Sequence, residues 1–115
     1  MDERIGKWLF DIQTAINEIY SFLEGKELKF EVYQKDRMLK RAIERELEII
    51  GEATNRILKR DATYADKITG AQSIVGLRNQ VIHAYDNISD ENIWAIIVNH
   101  LPKLKSDVDR LLANS

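Results

Sequence analysis

The segment Gly76-Leu-Arg-Asn-Gln-Val-Ile-His-Ala-Tyr85 gathers the side chains of this chain best suited to handling phosphate and protons together. Arg78 offers a permanently charged, forked donor for phosphate oxygens. His83 has an ordinary pKa of about 6.5, which suits both taking and giving a proton near neutral pH. Asn79 could orient the imidazole or bond the phosphate, and Tyr85 closes the cluster. The reaction such a set could run without a metal is cleavage of RNA through its own 2′-hydroxyl. That reaction needs a base, an acid and a cation beside the pentavalent phosphorus, and it would spare DNA. At about 100° per helical residue, Asn79 and His83 share a face, whereas Arg78 lies roughly 140° from His83. One copy of the helix therefore does not converge its Arg and His. Two copies about a two-fold axis could, each offering its polar face to one cleft. A lone His on a helix is more often packed or solvated, and an Arg more often an ion-pair partner, so the spacing alone leaves both readings open.

Composition narrows the remaining chemistry. Two histidines and no cysteine leave little material for a zinc or thiolate centre, and no metal site is expected. With 17 Lys and Arg against 19 Asp and Glu, the net charge of -2 provides no general attraction to nucleic acid, so RNA binding would need a local patch. The best candidate is the run Lys35, Arg37, Lys40, Arg41 and Arg45, broken by Asp36 and Glu44, although such a run is usually only a solvated face. Met1 to Phe10 is charged rather than continuously apolar, and no later stretch approaches the ~20 apolar residues of a membrane span. The expectation is a cytoplasmic protein that does not associate with membranes.

The elements that must position the cluster follow from periodicity. At 115 residues the chain is expected to form one domain, 1–115. Ile5, Trp8, Leu9, Ile12, Ile16, Ile19, Tyr20 and Leu23 recur at steps of three and four, predicting a helix from Arg4 to Glu24 that Gly25 ends. Lys26 to Tyr33 reads equally as one turn or as a packed connector. Leu39, Ile43, Leu47, Ile50, Ile57 and Leu58 predict a second long helix from Asp36 to about Arg60. Gly51 interrupts it, either to admit a neighbouring backbone or without consequence. After an irregular stretch from Asp61 to Gly70, a third helix from about Ala71 to Tyr85 carries the polar cluster. Ser89 is a suitable N-cap for a last helix, with Asp90 and Glu91 in its first turn as the helix dipole favours. Pro102 within that helix predicts a kink. Trp8 and Trp94 follow the apolar stripes and read as core or subunit interface; His100 reads as structural or exposed, and Glu52 as either exposed or a partner of the Arg and His cluster. The fold class is all-α, a four- to five-helix up-and-down bundle.

With these elements in place, the chain resembles the HepT-like branch of the HEPN (higher eukaryotes and prokaryotes nucleotide-binding) domains. The motif Arg-x4-His-x-Tyr reads here as Arg78, His83 and Tyr85, with Asn79 as the polar residue after the Arg. The flanks agree: Leu47-Glu-Ile-Ile-Gly-Glu-Ala53, Gly76-Leu-Arg-Asn, and Leu101-Pro-Lys-Leu104. The likeness extends from about Trp8 to Leu112. It departs at Ala84, where many relatives carry an acidic or aromatic residue, and in the absence of a proline-rich, tryptophan-containing connector between Asp61 and Gly70. The resemblance implies a HEPN-type bundle acting as a metal-independent ribonuclease toxin, a homodimer whose two motifs line one cleft. It also implies a minimal nucleotidyltransferase antitoxin that silences the toxin by transferring AMP from ATP to Tyr85; the chain itself needs no cofactor. An AMP two residues from His83 would place bulk and negative charge where substrate phosphate must sit. A second reading of the same resemblance is a non-catalytic nucleotide- or RNA-binding helical subunit that partners such a nucleotidyltransferase.

Overall fold

The computed structural model describes residues 1–76 and 89–114. The first long apolar stripe forms α1, Glu3–Leu23. Asp2 caps it by accepting the N–H groups of Arg4 and Ile5, and Gly25, with φ +78°, turns the chain away just beyond its end. The ambiguous segment contains a six-residue helix, α2 (Phe30–Lys35), which buries Tyr33. Asp36 then caps α3, Arg37–Arg60, through the N–H of Leu39. Gly51 is buried within α3. A 3-10 turn follows at Ala62–Asp66. Residues 71–76 are helical (α4) up to the limit of the described stretch.

The last stripe is one helical run with a widened middle: α5 (Asp90–Ala95), a π turn (Ile96–His100) and α6 (Leu101–Ala113). Ser89 caps α5 through the N–H of Asn92, at 3.1 Å. Where Pro102 predicts a kink, the structure has this π turn directly ahead of it, and Leu101 donates its N–H to the carbonyl of Ile96. Proline supplies no N–H and its ring crowds the carbonyl four residues back, so widening the preceding turn relieves the conflict.

Arg60 donates to Asp2 at 2.8 Å, placing the end of α3 beside the start of α1, so these two helices are antiparallel. Gln13 on α1 donates to Asp109 on α6 at 2.9 Å. The core is continuous between these helices: Leu9, Ile12, Ile16 and Ile19 of α1, Ile43, Ile50 and Ile57 of α3, and Leu101, Leu104 and Val108 of the last run are essentially inaccessible to water. Each such side chain contributes about 1.5–3 kcal/mol by leaving water, so these stripes dominate the stability of the bundle. The described residues contain helices and no strand, an all-α bundle of HEPN type. No helix among them is long and apolar enough to cross a membrane.

Candidate functional site

Arg78, Asn79, His83 and Tyr85 all lie outside the described residues. What the structure gives is the frame on either side of them: the chain up to Gly76 and the chain from Ser89.

On the near side, α4 begins at a tightly held corner. The Thr69 N–H donates to Asp107 Oδ2 at 2.8 Å, and Arg110 reaches the other oxygen, Oδ1, at 3.3 Å. Burial by itself would raise the pKa of the Asp107 carboxyl, but bonds from the side chain and backbone of Thr69, with Arg110 adding its charge, outweigh that and hold it below its ordinary value. Gly70 has φ +69°, and the ring of His100 lies so close that a Cβ here would overlap it. His100 is therefore a packed residue, one of the two roles its sequence context allows. Burial pushes its pKa down, Lys103 adds to the effect, and the Thr69 backbone and Asp107 oppose it. Its Nε2 is buried without a hydrogen-bond partner, which suits a neutral ring. Ile68, Ala71 and Ile74 bury the apolar side of the same corner.

On the far side, the start of α5 is tied to α2 and α3. Lys40 bonds Asp90 at 3.1 Å, with both side chains about a quarter to a third exposed. Trp94 packs on Tyr33 and Phe30 with ring centroids 5.4 and 6.4 Å away. The Tyr33 hydroxyl is buried without a partner, and burial, helped by Asp90 and Glu44, raises its pKa.

This geometry revises the predicted basic patch. Lys35 ends α2 rather than sharing the second long helix, because Asp36 breaks the run to cap α3. Lys40 is committed to Asp90, and Arg45 lies 3.7 Å from Glu48. Arg37, Arg41 and Arg45 remain exposed in one column along α3. Glu52 is partly buried and pairs with Arg56 at 3.2 Å. Together with Trp8, Asp11 and Arg45 these two residues line a mixed-charge cleft of about 370 Å³ between α1 and α3. Trp8 packs its remaining surface on the core, as does Trp94.

Sequence reasoning passed over Asp107 and Glu46. Both stand inside apolar stripes, Glu46 between Ile43 and Ile50 and Asp107 between Leu104 and Val108, and a carboxylate at such a register is the signal that finds them. Burial pushes Glu46 up to about 7, with the bond to and charge of Glu18 across on α1 adding to the rise and Arg45 opposing it.

The model of the family described as Ribonuclease HepT-like matches residues 12–111, which takes in the whole Arg-x4-His-x-Tyr segment. The chain belongs to the HepT-like ribonuclease family. Among its relatives are a Methanocaldococcus jannaschii protein named "Putative RNase MJ1380", 33% identical over 104 residues (89% of this chain, 91% of the relative), and a Thermococcus cleftensis protein named "Probable ribonuclease HepT", 31% identical over 104 residues (90% and 92%). A third, "Putative RNase TTE0752" of Caldanaerobacter subterraneus, is 36% identical over 87 residues (76% and 77%). No solved structure matches the chain at a significant level.

Proposed function

We propose that this HepT-like chain is a metal-independent ribonuclease whose working residues are Arg78, Asn79 and His83. The observation that carries this reading is the family match across residues 12–111, which spans the motif together with both sides of its frame. The chemistry of the residues supports it. His83 takes a proton from the 2′-hydroxyl or delivers one to the departing 5′-oxygen, Arg78 neutralises the phosphoryl oxygens as the 2′-oxygen attacks, and Asn79 orients the imidazole. The products of such a cut are a 2′,3′-cyclic phosphate and a free 5′-hydroxyl. A five-residue spacing at helical pitch would set Arg78 and His83 roughly 140° apart, so in this reading a second copy of the chain completes the site. In this reading the protein is the cytoplasmic toxin of a toxin–antitoxin pair, silenced when a partner nucleotidyltransferase moves AMP from ATP to Tyr85. The exposed column Arg37, Arg41 and Arg45 is the guide for RNA phosphates, with Lys35 beside it.

The test is incubation of the purified chain with cellular RNA in EDTA, beside His83→Ala. The parent cuts, and the variant is slower by about a hundredfold or more, the range for losing a general acid or base. Equal cutting by both removes His83 from the mechanism. No cutting by a parent of unmodified mass points instead to the non-catalytic partner of a nucleotidyltransferase; a mass heavier by AMP identifies the silenced toxin.

A further inference from the structure

Asp107 and His100 come from different parts of the last helical run, yet they hold adjacent residues: Asp107 accepts the Thr69 N–H, and the His100 ring lies against Gly70. The starts of α1, α3 and α5 are capped locally by Asp2, Asp36 and Ser89. The start of α4 is held from a distance: the oxygen that accepts the Thr69 N–H belongs to a residue 38 positions away. Gly70 in turn supplies the carbonyl that accepts the N–H of Ile74 at 3.0 Å, the first bond of α4. Its missing side chain and positive φ are what let the His100 ring close over it. A carboxylate taken out of water is costly unless its bonds are made, and Asp107 is 8% exposed with both oxygens engaged. A helix start held in this way has its direction fixed by α6 and the π turn rather than by its own sequence. Two residues after Gly76, the sequence reaches Arg78.

We propose that Asp107 and His100 are positioning residues for the Arg78 and His83 motif, clamping Thr69-Gly70 so that α4 leaves the bundle in one fixed direction. Neither touches substrate. The proposal rests on the ribonuclease reading for its effect on rate, and not for its effect on the His83 environment.

Two histidines give two imidazole titrations by NMR, assigned with His83→Ala. Asp107→Asn keeps an acceptor oxygen for the Thr69 N–H, whereas Asp107→Ala removes it. In Asp107→Ala the His83 titration midpoint moves and single-turnover RNA cleavage falls by about tenfold to a hundredfold, the scale of an ångström-sized misplacement. In Asp107→Asn both stay close to the parent. Should Asp107→Ala fail to fold, Gly70→Ala asks the same question from the other jaw by driving the His100 ring away. It produces the same displacement, as does His100→Ala, which removes that jaw outright. A folded Asp107→Ala or Gly70→Ala whose His83 midpoint and cleavage rate both match the parent overturns the proposal. If a parent of unmodified mass does not cleave RNA, the ribonuclease reading fails alone and the His83 midpoint still decides the positioning role.

Discussion

Among the described residues two carboxylates are buried, and they meet opposite fates. Asp107, where α6 meets the start of α4, receives the Thr69 N–H and Arg110, and its pKa is held down. Glu46, where α3 meets α1, has one oxygen buried with no partner and faces the like charge of Glu18, so its pKa rises to about 7. Burial opposes ionisation in both places; what differs is that N–H donors meet the Asp107 oxygens, whereas Glu46 meets another carboxylate, Glu18. The Asp107 end is therefore tied by its charge, while the α1–α3 seam is loosened by its own.

Removing the tied charge should have the largest effect. Asp107→Ala leaves the Thr69 N–H without its acceptor and is expected to cost about 2–3 kcal/mol, read as a lower urea midpoint with an unchanged slope. At the seam the sign reverses. Glu46→Gln should gain on the order of 1–2 kcal/mol at pH 8 and nearly nothing at pH 4, where the parent side chain is neutral both folded and unfolded. A loss at pH 8 would mean that Glu46 is stabilising as a carboxylate and would end the comparison.

The pH dependence separates the two ends further. Unfolded Glu46 ionises near its ordinary 4.5, while the folded group keeps its proton to about 7, so its stabilising share is complete below pH 4.5 and is lost as pH climbs to about 7. Asp107 behaves inversely: its share is present above its ordinary 3.8 and disappears as pH drops through its lower folded value. His100, also depressed, adds a loss as pH falls below 6.5. Urea midpoints of the parent and Glu46→Gln across pH 4 to 8 should begin to separate above pH 4.5 and hold a constant gap above about pH 7. The smallest effect belongs to the exposed equivalent of the Asp107 bond. Ser89→Ala removes a neutral oxygen from the Asn92 N–H and should cost about 1 kcal/mol, because water can replace it.

The long helices were legible because burial repeats along them. The stripes in α1 and α3 set their extents to within a residue, and the cap at Ser89 could be read from residue type alone. Six-residue α2 has too few turns for a period to emerge; it is defined by Tyr33 packing on Trp94, some sixty positions later. Partnerships across the fold were illegible for the same reason. Nothing near Lys40 announces that Asp90 will occupy it, and nothing near His100 announces Gly70. Pro102 did announce a disturbance, but local sterics alone do not choose between a bend and a wider turn. The motif residues Arg78, His83 and Tyr85 rest on sequence and family membership, since they fall outside the described residues.

The π turn at Ile96–His100 also has a bearing on the phase of the last stripe. Ile93, Ile97 and Leu101 are spaced four and four, and in a strict α-helix each such step drifts by about 40° away from a single line. A turn that closes five residues back instead of four absorbs that drift and keeps all three inside the core. In effect the helix carries one supernumerary residue, stored where Val98 and Asn99 face water. Deleting Asn99 would return the run to ordinary pitch without exposing a core side chain at the cut, yet it would rotate one half of the helix against the other. The core could repack around such a slip more easily than His100 could find Gly70 again.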